Sequence, residues 1–261
     1  MKDEYYLENF SRQLILKEIG PKGQEKIKNS SVIIIGLGGL GSSVLQYLSA
    51  SGIGEIGLVD HGKVELSNLN RQVIYKHDDI KKNKVDVAKE FSIKLNPSLK
   101  INTFNTKVDS ENINQIINNY DYIADCSDNY ETRLVINDAC FYQKKTWVMC
   151  SVAGFFGQIS TFQSHMLDKN NDPFPSYRCL TNDKKFIEDD CSHIGILGSV
   201  AGTMGALQTT EILKIITNNK DNLINKILIF DLLTLQNKIL KLKWDPNNIL
   251  NGKDSKKNEN N

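Results

Sequence analysis

The run Gly36-Leu37-Gly38-Gly39-Leu40-Gly41 is the first part of this sequence whose residue types suggest chemistry. Glycines lack a Cβ, so the backbone can turn tightly and bring its N–H groups against a phosphate at the positive end of a helix. Asp60 closes the next apolar run, where a carboxylate can accept hydrogen bonds from ribose hydroxyls. Together these residues indicate a nucleotide and leave its kind open, because a nicotinamide or flavin cofactor needs the same loop.

The following residues narrow the choice. Ser67-Asn68-Leu69-Asn70-Arg71-Gln72 is a polar run placed to overhang the same strand ends, Lys84 heads a helix, and Asp128-Asn129 follows a further strand. Arg71 and Lys84 are fixed cations and Asp128 is a carboxylate, a set that suits a triphosphate with Mg²⁺ better than a hydride carrier. No nucleophile–base pair accompanies them. His61, His77 and His165 lack ligand-like spacing, and Cys126, Cys140 and Cys150 have apolar neighbours that mark them as small core residues.

These residues need a frame to hold them. Short apolar runs at Ser31–Ile35, Glu55–Val59, Ile101–Phe104, Tyr122–Ala124 and Trp147–Ser151 alternate with helical patterns at 40–51, 83–95, 111–119 and 131–142. This alternation predicts a Rossmann-like, doubly wound α/β fold with a mostly parallel sheet and ligands at the strands' C-terminal ends. Strand-like runs at 158–162, 226–230 and 239–242 predict antiparallel additions in the C-terminal half. We expect one domain over 1–246, with an N-terminal helix at 7–20, a nucleotide-binding half at 31–150 and a partner-binding half at 151–246. A polar segment at about 165–190, broken by Pro173 and Pro175, reads as a mobile crossover loop. Residues 247–261, rich in Asn and Lys, read as a disordered tail.

Bulk composition excludes other classes. With 32 basic and 31 acidic residues the net charge is +1, which gives no footing for nucleic acid or a membrane surface. The stretch from Ile194 to Ile216 is apolar enough to suggest a membrane span, with Gly198 and Gly202 in helix-dimer spacing. Gln208, Glu211 and Lys214 are too costly in hydrocarbon, so a buried helix with a small-residue face is expected instead. Five irregularly spaced cysteines and a polar N-terminus indicate a reducing, cytoplasmic setting.

Ser11-Arg12-Gln13, the 36–41 loop, the 67–72 run, Asp125-Cys126-Ser127-Asp128-Asn129 and Thr132-Arg133 occur together and in this order. As a set, spanning about Leu7 to Leu242, they resemble the ubiquitin-activating-like adenylyltransferases of sulfur-carrier pathways, which include the molybdopterin-synthase and thiamine sulfur-carrier adenylyltransferases. The resemblance implies a homodimer that adenylylates the C-terminal glycine carboxylate of a ubiquitin-like sulfur-carrier protein ending in Gly-Gly. A sulfurtransferase would act as a further partner. It implies ATP contacts from Gly39, Asp60, Ser67, Asn68, Arg71, Lys84, Asp128 and Asn129, with Arg12 reaching the phosphates from the other subunit.

The pattern also breaks in places. Relatives commonly hold a structural zinc between two Cys-x-x-Cys pairs, and here the corresponding positions are Ser176, Cys179, Asn248 and Asn251. We expect no zinc and a looser C-terminal end. Gly62 stands where many relatives have an acid. Cys191 matches a position at which some relatives link covalently to the carrier, which makes it a candidate for that role. Two rival readings follow from the residues: a nicotinamide-dependent oxidoreductase, which would leave the 67–72 run idle, and a non-catalytic dimeric scaffold.

Overall fold

The computed structural model describes residues 2–181 and 195–253. Among the described residues eight strands form one sheet in the order β3-β2-β1-β4-β5-β6-β7-β8. β1 (Ser31–Ile35), β2 (Glu55–Val59), β3 (Lys100–Phe104), β4 (Tyr122–Asp125) and β5 (Thr146–Ala153) run parallel. β6 (Phe156–Phe162), β7 (Lys226–Asp231) and β8 (Gln236–Lys241) continue the sheet antiparallel, as expected.

The apolar run of β1 shows why these strands sit in the middle. Val32 and Ile34 pack into a cluster with Leu45, Leu48 and Ile212 on one face. Ile33 and Ile35 face the other side, with Ile123, Trp147 and Phe162. A strand covered on both faces has no use for polar alternation, so it reads as a continuous apolar run. The chain leaves β1 toward β2 and β3, then returns to place β4 on β1's other side. The C-terminal ends of β1 and β4 therefore open at a topological switch point, where doubly wound folds bind ligands.

Helix α4 (Gly39–Ser51) follows β1, α5 (Lys84–Leu95) follows the loop after β2, α6 (Ile113–Ile117) precedes β4 and α7 (Tyr130–Tyr142) follows it. The long helix α9 (Gly198–Ile216) packs along α4. Gly205 makes that approach close, because a Cβ there would lie 2.7 Å from the Ser43 Cβ. Gly202 does not form the packed small-residue face expected of it, since nothing lies within 4 Å of the Cβ position. Its carbonyl instead accepts a hydrogen bond from Ser43 Oγ at 2.8 Å.

The polar residues of α9 have buried partners. Gln208 Nε2 donates to the carbonyls of Asp125 (2.9 Å) and Val148 (2.8 Å), tying the end of β4 to the interior of β5. Glu211 accepts from Thr161 Oγ1 and pairs with Lys214. Among the described residues no helix is long and apolar enough to cross a membrane.

Three expected boundaries change. The N-terminal helix at 7–20 is instead three pieces, α1 (Lys2–Asn9), α2 (Ser11–Leu14) and α3 (Gly20–Lys28). Gly20, at φ +56°, turns the chain between the last two. The expected crossover loop is ordered in its described part, where Leu167 bridges Pro173 and α8 spans Tyr177–Thr181; residues 182–190 lie outside the described residues.

The expected disordered tail also starts too early, because Asn248, Leu250 and Asn251 are buried. Three of the four positions aligned with zinc ligands, Ser176, Cys179 and Asn248, are joined by hydrogen bonds. Asn248 Nδ2 donates to Ser176 Oγ (2.7 Å) and Cys179 Sγ (2.9 Å), and Asp245 N and Ser176 N also point at that sulfur. Asn251 Nδ2 donates to the Phe174 carbonyl at 3.0 Å. One thiol, one hydroxyl and two carboxamides are not a zinc donor set, and the carboxamide protons are spent on Ser176, Cys179 and the carbonyls of Ser164 and Phe174. The expectation of a looser C-terminal end is corrected for 247–253, because side-chain hydrogen bonds fasten this segment.

Candidate nucleotide site

The glycine loop leaves β1 at Gly36, whose φ of +93° suits glycine. A Cβ there would also lie 2.7 Å from the Cys126 carbonyl oxygen, so the loop after β1 lies directly against the loop after β4. Gly41 permits the sharp entry into α4, since its Cβ would stand 2.0 Å from the Gly36 carbonyl oxygen. Gly38 is the N-cap of α4, with no side chain to satisfy the helix's first N–H groups. Those groups and the helix dipole favour an anion there.

Asp60 is fixed at the end of β2 by two backbone donors. Leu37 N reaches Oδ2 at 2.8 Å and Gly62 N reaches Oδ1 at 2.7 Å. Each carboxylate oxygen keeps a further lone pair for a ribose hydroxyl. Gly62 brings Lys84 to the same place, since a Cβ at 62 would be 3.0 Å from Asp60 Oδ1 and 3.5 Å from Lys84 Nζ. The second acid found in many relatives would crowd this corner.

Residues 65–75 form a tight overhang. The Leu66–Asn68 turn is closed by Asn68 Oδ1, which accepts from Glu65 N, and by Asn68 O, which accepts from Arg71 N and Gln72 N. Ser67 is exposed and donates to Glu65. Leu69 packs on the core, and the Asn70 carbonyl lies against the start of α9 at Gly198. Arg71 crosses Gly39, with its Cγ 3.5 Å from the Cβ position. Its guanidinium folds back onto Ser67 O (2.9 Å) and Asn70 Oδ1 (3.0 Å). Tyr75 ties the overhang to the loop by donating its hydroxyl to Leu37 O at 3.0 Å. Burial and then the charge of Asp60 push that phenol well up, so it stays a donor.

On the other side of β1, Asp128 is exposed beyond the end of β4. Asn129 Oδ1 caps α7 by accepting from Thr132 N at 2.8 Å, and its Nδ2 faces Asp128 Oδ1 at 3.4 Å. An exposed carboxylate fits a hydrated Mg²⁺, which keeps several waters. The loop holding Asp128 rests on a buried pair whose members enter the sequence motifs without an assigned role. Asp125 Oδ1 accepts from Ser127 N and Oγ, while Arg133 donates to Ser127 O at 2.7 Å and lies 3.7 Å from Asp125 Oδ2. Burial raises the Asp125 carboxyl against the opposing pull of Arg133. The acid ending β4 and the basic residue one turn into α7 were the signal for that pair.

The structure thus brings the glycine loop, Asp60, Lys84 and Arg71 to one crevice, with the Asp128 loop adjoining at Gly36. Arg12 is not built into it within this chain: it is exposed on α2, which packs on α1 and α3. Cys191 lies outside the described residues. Cys126 and Cys140 are buried, and burial raises their thiols well above the usual range, consistent with core residues. A basic crevice at a helix N-terminus, with a diol-binding acid and an exposed carboxylate opposite, can bind a nucleoside triphosphate and its metal.

Known proteins resemble this chain in sequence and in fold. A probable molybdopterin-synthase adenylyltransferase of Porphyra purpurea is 40% identical over 229 residues, covering 87% of this chain and 58% of that protein. The chain thus spans little more than half of that relative's length. A sulfur carrier protein adenylyltransferase of Thermus thermophilus is 35% identical, covering 92% of this chain and 89% of that protein. A structure of E. coli MccB with MccA-N7isoASN has a TM-score of 0.81 at 22% identity, covering 94% of this chain and 75% of that one, which establishes the likeness of fold. Residues 10–249 match the ThiF family, and with the Thermus relative aligned over most of both chains, this protein belongs to that family.

Proposed function

We propose that this chain uses ATP to adenylylate the C-terminal glycine carboxylate of a small ubiquitin-like sulfur-carrier protein, releasing pyrophosphate. The carrier would belong to molybdenum cofactor or thiamine biosynthesis, in the cytoplasm, and a sulfurtransferase would act on the product. The convergence of Asp60, Lys84 and Arg71 on the glycine loop supports this reading most directly. The names of relatives that adenylylate sulfur carriers support the substrate class.

The chemistry follows from the charges. An α-carboxyl group has a pKa of roughly 3.5, so the carrier arrives ionised and needs no general base. One carboxylate oxygen bonds to the α-phosphorus as the bond to the β-phosphate oxygen breaks, leaving an acyl-adenylate and pyrophosphate. The protein's work is alignment and neutralisation of charge on the phosphates. Asp60 holds the ribose, Gly36, Gly38, Gly39 and Gly41 clear space for the phosphates, and Ser67, Asn68, Leu69, Asn70 and Asn129 shape the crevice. Arg71 and Lys84 face the phosphates, joined by Arg12 of a second copy in a homodimer. Asp128 would hold Mg²⁺, which offsets the negative charge of the triphosphate.

Carrier-dependent ATP–pyrophosphate exchange, run against candidate carriers ending in Gly-Gly, tests the reading. Arg71→Ala should lower the exchange rate by about 10²–10³-fold while the circular dichroism spectrum is unchanged. Near-normal exchange in that variant would remove Arg71 from the machinery.

A further inference from the structure

Asp128 is exposed, so the backbone on either side of it sets where its carboxylate points. On the C-terminal side Asn129 is fixed, because its Oδ1 caps α7 by accepting from Thr132 N. On the N-terminal side Ser127 is gripped at both ends of its backbone. Its N–H donates to Asp125 Oδ1 at 2.9 Å, and its carbonyl accepts from Arg133 Nη2 at 2.7 Å. The turn cannot slide toward the glycine loop either. A Cβ on Gly36 would lie 2.7 Å from Cys126 O and 3.3 Å from Ser127 N.

The grip on Ser127 comes from an ion pair that stability alone does not explain. Asp125 is fully buried, and the Arg133 side chain is 14% exposed. Arg133 Nε stands 3.7 Å from Asp125 Oδ2, and neither atom has a hydrogen-bond partner among the described residues. Apolar residues of similar volume are often as stable as a buried pair, or more so. What an arginine adds is a rigid planar fork. One arm can hold the Ser127 carbonyl while the charge faces Asp125.

We propose that Arg133 is a positioning residue, which holds the Ser127 carbonyl and so aims the Asp128 carboxylate at the metal accompanying the triphosphate. The assignment rests on the nucleotide reading above, in which Asp128 holds Mg²⁺, and adds the residue that sets its direction. Arg133 does this from behind the loop, without touching nucleotide or metal. Outer partners of this kind orient a metal's ligands, and losing one weakens metal binding.

Calorimetry tests this by comparing affinity for adenosine, and for ATP with and without Mg²⁺, in the wild type, Arg133→Lys and Asp128→Ala. Lysine keeps a charge opposite Asp125 and gives up the planar fork. Asp128→Ala sets the floor to which the gain from Mg²⁺ falls once the metal's carboxylate is gone. For Arg133→Lys we expect the ratio of ATP affinities with and without Mg²⁺ to drop about tenfold, toward that floor. Adenosine and metal-free ATP should stay within about twofold of wild type, because Asp60 and the start of α4 are untouched. Asp125→Asn combined with Arg133→Met removes both buried charges together, and it decides the question if the lysine variant fails to fold. The same selective loss is expected of it. An unchanged ratio in the folded variant overturns the proposal. So does an equal loss for adenosine, the mark of a general prop for the crevice. A wild type that does not bind ATP sinks the nucleotide reading, and one that gains nothing from Mg²⁺ sinks the metal role of Asp128; either takes this assignment with it. A wild-type gain that survives in Arg133→Lys sinks this assignment alone.

Discussion

Two glycines show how far a single position depends on its surroundings. At Gly41 any side chain meets the Gly36 carbonyl oxygen, a backbone atom that cannot step aside. Gly41→Ala should therefore destabilise the chain by about 1–3 kcal/mol or prevent folding, and abolish ATP binding with it. At Gly202 the Cβ position is open, so Gly202→Ala should gain up to about 1 kcal/mol of helix propensity and raise the melting temperature by about 2–4 °C. Thermal denaturation of the two variants side by side checks both signs. The sequence marked Gly36 to Gly41 correctly, because a phosphate loop needs glycine at several neighbouring positions. It misjudged Gly202, because spacing alone cannot say which face of a helix meets a neighbour. Asp125 and Arg133 stood within the quoted motifs, but their pairing depends on burial, which only the fold supplies.

Elements were legible where one force dominated. The parallel strands were found to within two residues, because burial on both faces leaves an unbroken apolar run. The N-terminal segment failed for the opposite reason: its apolar residues are helically spaced, but the helix breaks at Phe10 and again over 15–19 before it restarts at Gly20. The C-terminal segment failed more instructively. Asn-rich composition looked like a solvated tail, yet Asn248 and Asn251 are the polar atoms that bind it to Ser176, Cys179 and Phe174. The same cluster anchors α8, where Tyr177 N donates to Asn137 and Arg178 pairs with Asp138 at 2.6 Å. Asn248→Ala leaves the buried Ser176 hydroxyl short of a partner, so it should cost about 1–3 kcal/mol. Urea denaturation reads that cost, and faster proteolysis near residues 244–253 would locate it.

At the scale of the whole molecule, the crevice within one chain has two cations, and Arg12 stands outside it on α2. In the proposed homodimer each crevice borrows Arg12 from the other copy. Arg12→Ala and Asp128→Ala should then each be inactive alone, while a re-equilibrated equal mixture should recover about a quarter of wild-type exchange, since half the dimers form with one complete site each. No recovery on mixing would place Arg12 in its own subunit's site, and an active Arg12→Ala alone would place it outside catalysis.

The outermost strand, β8, has all six residues exposed and, among the described residues, a neighbour on one side only, so one row of its peptide groups faces outward. Such a border invites a second sheet to zip onto it, above all where it displays Ile239 and Leu240. Lys238 and Lys241 bracket that apolar pair, and two copies meeting along this border would bring their ammonium groups together. The lysines act as gatekeepers against fibril-like stacking, so the antiparallel extension can widen the sheet without making the protein sticky.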